Sequence, residues 1–158
     1  MSLPHTASIR PMERTDLDAV MAIEQVSYPA PWKREHFIQE IHSHLSRPFV
    51  VQVDDAVAGY VCLMSLFEEA QILNIAIGPA WRGQGLARLL MDHAITEALA
   101  CGAELLTLEV RESNGAAIAL YESYGFERYF VRRGYYEGKE DAILMEKVLR
   151  LSSASSNT

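Results

Sequence analysis

Apolar positions along the chain follow two periods, one typical of β-strands and one typical of helices. Short runs rich in Val, Ile and Leu predict seven strands. These strands are the segments 8–12, 49–53, 57–64, 72–77, 105–110, 126–136 and 141–148. Apolar residues at helical spacing predict four helices between them. These helices are the segments 15–28, 33–45, 86–101 and 114–124.

The order of these elements predicts an α/β fold with one mixed central sheet of about six to seven strands and about four helices. Short polar turns at 54–55 and 137–139 predict antiparallel hairpins at both ends of the sheet. A helix separates the strands at 72–77 and 105–110, and such a connection joins parallel strands. We therefore expect a parallel pair in the centre of the sheet.

The central strand, the turn that follows it and the next helix form a candidate anion-binding site. Gly78-Pro79 ends the strand because proline donates no backbone hydrogen bond, and Gly83 and Gly85 stand where the helix begins. At such a helix start the first N–H groups lack intrahelical partners and the helix dipole is positive. A phosphate can therefore be bound by the main chain alone.

Two familiar phosphate-binding loops do not fit this turn. Gly83-Gln84-Gly85 is not followed by Gly-Lys-Ser/Thr, so the chain lacks the lysine and the hydroxyl group of a P-loop. The dinucleotide-binding fingerprint requires a third glycine where Arg88 stands, and arginine is too large for close packing of helix on strand. Neither a P-loop nor a Rossmann site is expected here.

The remaining pattern, Arg82-x-x-Gly85-x-Ala87 between a strand and a helix, resembles the acyl-CoA pyrophosphate loop of the GNAT superfamily of N-acetyltransferases. Downstream, the segments 108–114 and 116–126 resemble a second region of that superfamily. Together with 132–136 and 140–145, they are similar to the bacterial ribosomal-protein alanine N-acetyltransferases. This resemblance covers nearly the whole chain, from residue 9 to residue 148. Ala87 and Arg82 depart from the commonest loop pattern, which has glycine and glutamine there; both are tolerated variants.

The resemblance implies that acetyl-CoA is the acetyl donor and that no metal is needed, because the thioester is already activated. It assigns Glu109 as general base and Tyr121 as general acid for the departing thiolate. It also implies a set of cofactor-binding residues: main-chain groups of Ile75, Ala76 and Ile77, the loop Arg82, Gly83, Gln84, Gly85, Leu86, Ala87 and Arg88, and the side chain of Asn114. Asn114 is also placed to cap the helix that follows it.

On the acceptor side, the resemblance places Trp32 beside the acceptor peptide, and Tyr135 and Tyr136 are candidates for the pocket wall. At pH 7 about one α-amine in ten is neutral, against about one lysine amine in a few thousand, which favours an N-terminal amine. The implied acceptor is the N-terminal alanine of small-subunit ribosomal protein eighteen. Another protein N-terminus, a lysine or a small amine stays open within the same chemistry, and a non-catalytic acyl-CoA sensor stays open as a different class.

Length and composition add the remaining expectations. A chain of 158 residues suits one domain, expected at 1–150, followed by a disordered polar tail at 151–158. The net charge of -7 argues against direct binding to nucleic acid. No apolar run reaches the length of a membrane span and no signal peptide is evident, so we expect a cytoplasmic protein. We also expect a monomer or weak dimer. Cys62 and Cys101 offer no metal site and are expected as small apolar residues.

Overall fold

A seven-stranded sheet forms the centre of residues 6–150, the part of the chain described by this computed structural model. The strand order is β1-β2-β3-β4-β5-β7-β6, and every neighbouring pair is antiparallel except β4 and β5. The strands are β1 Ala7–Pro11, β2 Ser46–Val53, β3 Ala56–Leu66, β4 Glu69–Ile77, β5 Leu105–Arg111, β6 Glu127–Tyr136 and β7 Glu140–Val148. The mixed sheet with its parallel central pair confirms the predicted fold class.

Four α-helices connect these strands within the described residues. They are α1 Leu17–Ser27, α2 Arg34–His42, α3 Leu86–Ala100 and α4 Gly115–Ser123. Short 3₁₀ turns at Arg14–Asp16 and Pro79–Trp81 precede α1 and the α3 loop. Helix α2 ends three residues before the predicted position because Ser43 takes an extended conformation, with φ −78° and ψ 130°. No helix in this part of the chain has both the length and the apolar character needed to cross a membrane.

Two hydrophobic cores lie on opposite faces of the sheet. Val61 and Leu63 of β3 pack in the core that contains α3 and α4, whereas Tyr60 and Cys62 pack with α1 and α2. Alternation along one strand therefore serves both layers, as expected for a sheet covered on two faces. On α3, the apolar spacing of the helix predicts that Leu89 faces inward, but Leu89 is 37% exposed whereas Met91 is buried.

The central parallel pair separates before its strands end. Pairing between β4 and β5 stops at Ile72 and Leu108, although β4 continues to Ile77 and β5 to Arg111. The register of β4 against β3 also shifts there, since Cys62 pairs with Asn74 and Leu63 with Ile72. An extra residue in one strand bends it and increases its twist. The sheet therefore opens into a cleft between β4 and β5.

The predicted boundary between a domain at 1–150 and a polar tail at 151–158 stays a prediction. Residues 1–5 and 151–158 lie outside the described residues.

Candidate active site

The cleft between β4 and β5 has a volume of about 880 Å³. This is within the size range of small-molecule sites in proteins. Its walls contain ten of the residues that the sequence predicted as functional: Trp32, Ile75, Ala76, Ile77, Arg82, Glu109, Asn114, Tyr121, Tyr135 and Tyr136. The tertiary structure thus gathers residues from four separate regions of the sequence around one space.

The loop after β4 exposes backbone N–H groups at the start of α3. Gly83 and Gly85 have φ of +78° and +80°, in the left-handed region, and a Cβ added to either would meet nothing within 4 Å. Within the described structure no hydrogen bond engages the amides of Gly83, Gln84 or Gly85. No side chain caps α3, which begins at the buried Leu86, with Ala87 half-buried beside it. The loop can therefore accept an anion without rearranging.

The two arginines of the loop differ in their contacts. Arg82 lines the cleft, and its Nε donates to the carbonyl oxygen of Ile77 at 3.2 Å. Arg88 instead reaches α4, where its Nη2 donates to Ser123 Oγ at 3.1 Å and its guanidinium lies 5.4 Å from the centroid of the Tyr124 ring. The structure thus brings the side chain of Arg82, but not that of Arg88, to the wall of the cleft.

The main chain of β4 presents polar groups to the cleft at Ile75 and Ile77. The N–H of Ile75 donates to Asn74 Oδ1 at 3.0 Å, and its carbonyl oxygen accepts a hydrogen bond from the Tyr28 hydroxyl. Alternate peptide groups of a strand face opposite edges. Ala76 pairs with Tyr60, so its peptide faces β3.

Glu109 lies on β5 just beyond the point where the parallel pairing ends. Its Oε1 accepts a hydrogen bond from the Tyr136 hydroxyl at 3.1 Å. Burial and the charge of Glu109 raise the pKa of Tyr136, so its hydroxyl remains a donor. Tyr136 also contacts Arg111, whose guanidinium lies 4.0 Å from the centroid of the Tyr136 ring. The carboxylate is therefore held by a phenol that is itself held in place.

Arg111 connects this site to the turn between β6 and β7. It forms ion pairs with Glu140 at 3.2 Å and Glu137 at 3.5 Å. Hydrogen bonds from Ser113, together with Arg111, hold the pKa of Glu140 below its usual range. Since Ser113 precedes α4, these contacts fix the β6–β7 turn relative to the β5–α4 loop.

Tyr121 and Asn114 bring α4 to the cleft. Tyr121 is 5% exposed, and burial raises its pKa to about 12. Its ring packs edge-on against Phe126, with the ring centroids 5.9 Å apart. Asn114 Oδ1 accepts from the N–H of Ala117 at 3.2 Å, which confirms the predicted cap of α4. Tyr121 is thus a protonated phenol at neutral pH.

The aromatic residues predicted for the acceptor side differ in their exposure and in their contacts. Trp32 is half-buried, with its ring centroid 5.0 Å from that of Phe37. Tyr135 is 51% exposed and stacks edge-on against Tyr136 at 5.2 Å. Only Tyr136 of this pair contacts Glu109, so the two tyrosines divide between the interior and the mouth of the cleft.

Comparison with known proteins shows the family to which the chain belongs. The model of the acetyltransferase (GNAT) family matches residues 17–126. The chain belongs to the GNAT acetyltransferase family. It is therefore an acetyl-CoA-dependent N-acetyltransferase, as the resemblance implied.

Individual relatives of the GNAT family match over most of the chain. The ribosomal protein bS18-alanine N-acetyltransferase of Escherichia coli (strain K12) is 40% identical over 141 residues, 87% of this chain and 95% of that protein. A Bacillus subtilis protein with the same name, given as putative, is 37% identical over 144 residues, 88% of this chain and 93% of that protein. The crystal structure of the ribosomal-protein-S18-alanine N-acetyltransferase from Escherichia coli matches with a TM-score of 0.87 and 37% identity, covering 94% of this chain and 97% of that chain.

The site fits the acetyl-CoA that GNAT enzymes use. The loop offers unbonded amides at a positive helix terminus, as a pyrophosphate requires. The open space in front of Gly83 and Gly85 leaves room for phosphate oxygens, and the cleft continues from Arg82 to Glu109. Across the described residues, no cluster of His, Cys, Asp and Glu has the arrangement of a metal site.

Three residues of this GNAT cleft did not follow from the sequence. Glu24, Tyr28 and Asn74 all line it. Two of them could have been found from the sequence, because each is a polar residue inside an apolar pattern. Glu24 lies on the inward face of α1, and Asn74 lies in the apolar run 72–77. Tyr28 carries no such signal, since it stands at a helix end where either orientation is open.

Proposed function

We propose that the chain transfers the acetyl group of acetyl-CoA to the α-amine of the N-terminal alanine of ribosomal protein bS18. The observation that carries this proposal is that Glu109 and Tyr121 face the same cleft, whose wall extends to Arg82 at the start of the α3 loop. The names of the relatives at 40% and 37% identity support the choice of acceptor. The ribosomal protein is the partner, and its N-terminal segment enters the cleft.

In this proposal Glu109 removes the proton from the incoming ammonium group, directly or through a water molecule. A carboxylate suffices because an α-amine has a pKa near 8, so about one in ten is already neutral at pH 7. Tyr136 keeps the carboxylate aimed into the cleft through its hydrogen bond to Oε1. A general base of this kind contributes about 10²–10⁴ in rate.

Tyr121 acts at the other end of the reaction, by donating its proton to the departing thiolate. Its pKa of about 12, raised by burial, keeps it protonated at neutral pH. A thiol has a pKa near 8.5, so the phenol is the weaker acid and donation accompanies, rather than precedes, departure. Acetyl-CoA supplies an activated thioester when bound.

The cofactor-binding residues of this proposal follow the length of the cleft. The amides of Gly83, Gln84, Gly85, Leu86 and Ala87 bind the pyrophosphate, with Arg82 and Arg88 beside them. Asn114 and the main-chain groups of Ile75 and Ile77 bind the pantetheine arm, whereas the peptide of Ala76 faces β3. Because Asn74 and Tyr28 already occupy the polar groups of Ile75, the arm exchanges one of these hydrogen bonds on binding.

The acceptor enters between the α1–α2 segment and the β6–β7 hairpin. Trp32 borders the cleft on the first side, and Tyr135 and Tyr136 border it on the second. The walls carry few charges other than Glu24, Glu109 and the Arg111 ion pairs, which suits a short N-terminal segment with one ammonium group.

Mass spectrometry of peptides incubated with the protein and acetyl-CoA tests this function. Three peptides are compared: the bS18 N-terminus, the same peptide with its α-amine blocked, and one offering only lysine. Acetylation of the first alone is the expected result. If only the lysine peptide is modified, or none is while acetyl-CoA still raises the melting temperature, the acceptor assignment is wrong.

Glu109→Gln tests the catalytic assignment within the same assay. We expect turnover to fall by about 10²–10⁴, the usual contribution of a general base, with acetyl-CoA binding unchanged. Glu112→Gln, a change of an exposed carboxylate in the next loop, is the matched control. Equal turnover of Glu109→Gln and the parent would exclude the role of base.

A further inference from the structure

A carboxylate lies buried on the face of α1 that packs against the sheet. Glu24 is 1% exposed and stands four residues after the buried Val20 and seven after the buried Leu17, on the same helical face. Glutamate almost never occupies such a position unless it is paired or hydrogen-bonded. The proton transfers proposed above do not use this residue, so its presence there requires another explanation.

Three donors converge on the Glu24 carboxylate. Oε1 accepts from Asn74 Nδ2 at 2.7 Å and from the Tyr60 hydroxyl, and Oε2 accepts from the backbone N–H of Trp32 at 2.8 Å. Burial, followed by the charge of Glu24, raises the pKa of Tyr60, so this hydroxyl keeps its proton. Donors on both oxygens match an ionised carboxylate, which accepts but does not donate. No cationic side chain of the described residues pairs with it.

One of these bonds holds a segment that has little other backbone support. Residues 29–32 lie in the connection between α1 and α2, and two of the four are prolines without an N–H. Within the described part of the chain, the bond from Trp32 N–H to Glu24 is the only backbone hydrogen bond that these four residues make. The ring of Trp32 rests on Phe37 and His36 of α2, at centroid distances of 5.0 and 5.2 Å.

The bond from Asn74 connects the same carboxylate to β4, which also lines the cleft. Asn74 donates from Nδ2 to Glu24. Its other side-chain atom, Oδ1, accepts from the N–H of Ile75 at 3.0 Å. Trp32, Asn74 and Ile75 all line the cleft. A single buried group therefore sets the distance between the α1–α2 segment and the free edge of β4.

We propose that Glu24 is a positioning residue that sets the affinity for the acceptor N-terminus by holding the Trp32 segment against β4. This inference rests on the proposed function, because it takes that side of the cleft as the acceptor's. Stability alone is a poor reason for the carboxylate, since well-packed apolar residues often replace buried charges at no cost in stability. A wall held at one distance is preorganised, and preorganisation improves affinity without adding a contact.

Glu24→Gln is the direct test. Glutamine has the same size, but one of its two terminal groups is a donor and must face a donor of the site, so at least one tie is broken. For the bS18 N-terminal peptide we expect KM to rise about tenfold or more, the effect of losing a hydrogen bond to a charged group. We expect kcat to stay within about threefold, because neither catalytic side chain contacts Glu24.

Amide hydrogen exchange gives a readout that does not depend on activity. Exchange at Trp32 or Ile75 should be at least about tenfold faster in Glu24→Gln than in the parent. Gln25→Ala, an exposed change one residue away on α1, is the matched control for both measurements. If Glu24→Gln does not fold, Asn74→Ala breaks the same connection from the β4 side and should also raise the acceptor KM.

The inference is overturned if exchange at Trp32 and Ile75 is unchanged, or if it accelerates while the acceptor KM stays within about twofold of the parent. A fall in kcat at constant KM would also contradict it, because it would place Glu24 in the chemical step. The parent enzyme is measured first. If it acetylates no α-amine, the proposed function fails and this inference falls with it, whereas an active parent with an insensitive variant contradicts the inference alone.

Discussion

Replacing Gly85 by alanine separates the stability of the α3 loop from its binding of acetyl-CoA. Gly85 has a φ of +80°, where an L-residue costs about 1–2 kcal/mol relative to glycine. The added Cβ would meet no protein atom within 4 Å, so no steric cost is added. In a domain of this size about 1 kcal/mol lowers the melting temperature by roughly 2–4 °C. We therefore expect a loss of roughly 2–8 °C.

Binding should suffer more than folding does. The same Cβ would enter the open space beside Gly85, into which the proposed pyrophosphate has to fit. Loss of one charge-assisted hydrogen bond corresponds to at least about tenfold in affinity, or about 1.4 kcal/mol. Isothermal titration calorimetry with acetyl-CoA measures the loss of affinity. Thermal unfolding of the free protein measures the fall in melting temperature.

Gly138 provides a matched control in the β6–β7 turn. Its φ is +69°, and a Cβ there would also meet nothing within 4 Å. Gly138→Ala should therefore lower the melting temperature by a similar amount and leave acetyl-CoA affinity within about twofold. If Gly85→Ala binds acetyl-CoA as well as the parent while both variants lose stability, the α3 loop does not hold the cofactor phosphates.

Two further variants test the site and the stability of the fold. Tyr136→Phe removes the hydrogen bond to Glu109, a loss of about 1.5–3 kcal/mol, so kcat/KM for the acceptor peptide should fall about 10–100-fold in steady-state assays. Asp16→Asn breaks the two-pronged ion pair with Arg10, whose bonds are both 2.8 Å, and should lower the free energy of unfolding by about 2 kcal/mol at pH 7. The hydrogen bond from Arg10 holds the pKa of Asp16 below its usual range, so this stabilisation is present above about pH 4 and is lost as pH falls.

Each of these two variants has its own control. Tyr129→Phe, an exposed position of the same strand, should leave kcat/KM unchanged, and an equal loss in both variants would contradict the role given to Tyr136. Urea unfolding from pH 7 to pH 3 measures the effect of Asp16→Asn. Asp18→Asn, whose side chain is 92% exposed, should change stability by less than about 1 kcal/mol. A difference between Asp16→Asn and the parent that does not shrink toward pH 3 would contradict the ion-pair explanation.

Much of the fold was predictable because its signals are local. The run 72–77, the glycine turn and the helix from Leu86 are adjacent in the sequence, and they appear in the structure in that order. The cap formed by Asn114 needs only the next three residues. The parallel central pair also followed, because a helix between two strands of one sheet leaves few topologies.

The sequence predicted less well which residues of a helix face the sheet. Leu89 fits the apolar spacing of α3 but is 37% exposed, whereas Met91 is buried. Helical spacing defines an apolar stripe, but the exact side of it that meets the sheet depends on how the helix lies on the strands. That orientation is a packing result, and no local rule contains it.

The sequence by itself determined the element order and the α3 loop, and its resemblance to the GNAT superfamily suggested the two proposed catalytic side chains. Only the tertiary structure decided how the site is held together. Tyr136 reaches Glu109 across 27 residues of chain, and Asn74 and Tyr60 reach Glu24 across 50 and 36. Such contacts depend on where β4 and β5 separate and how α1 lies on the sheet. Periodicity records which face of an element is apolar, but the partner of a buried polar group is chosen by the packing of elements that are distant in the chain.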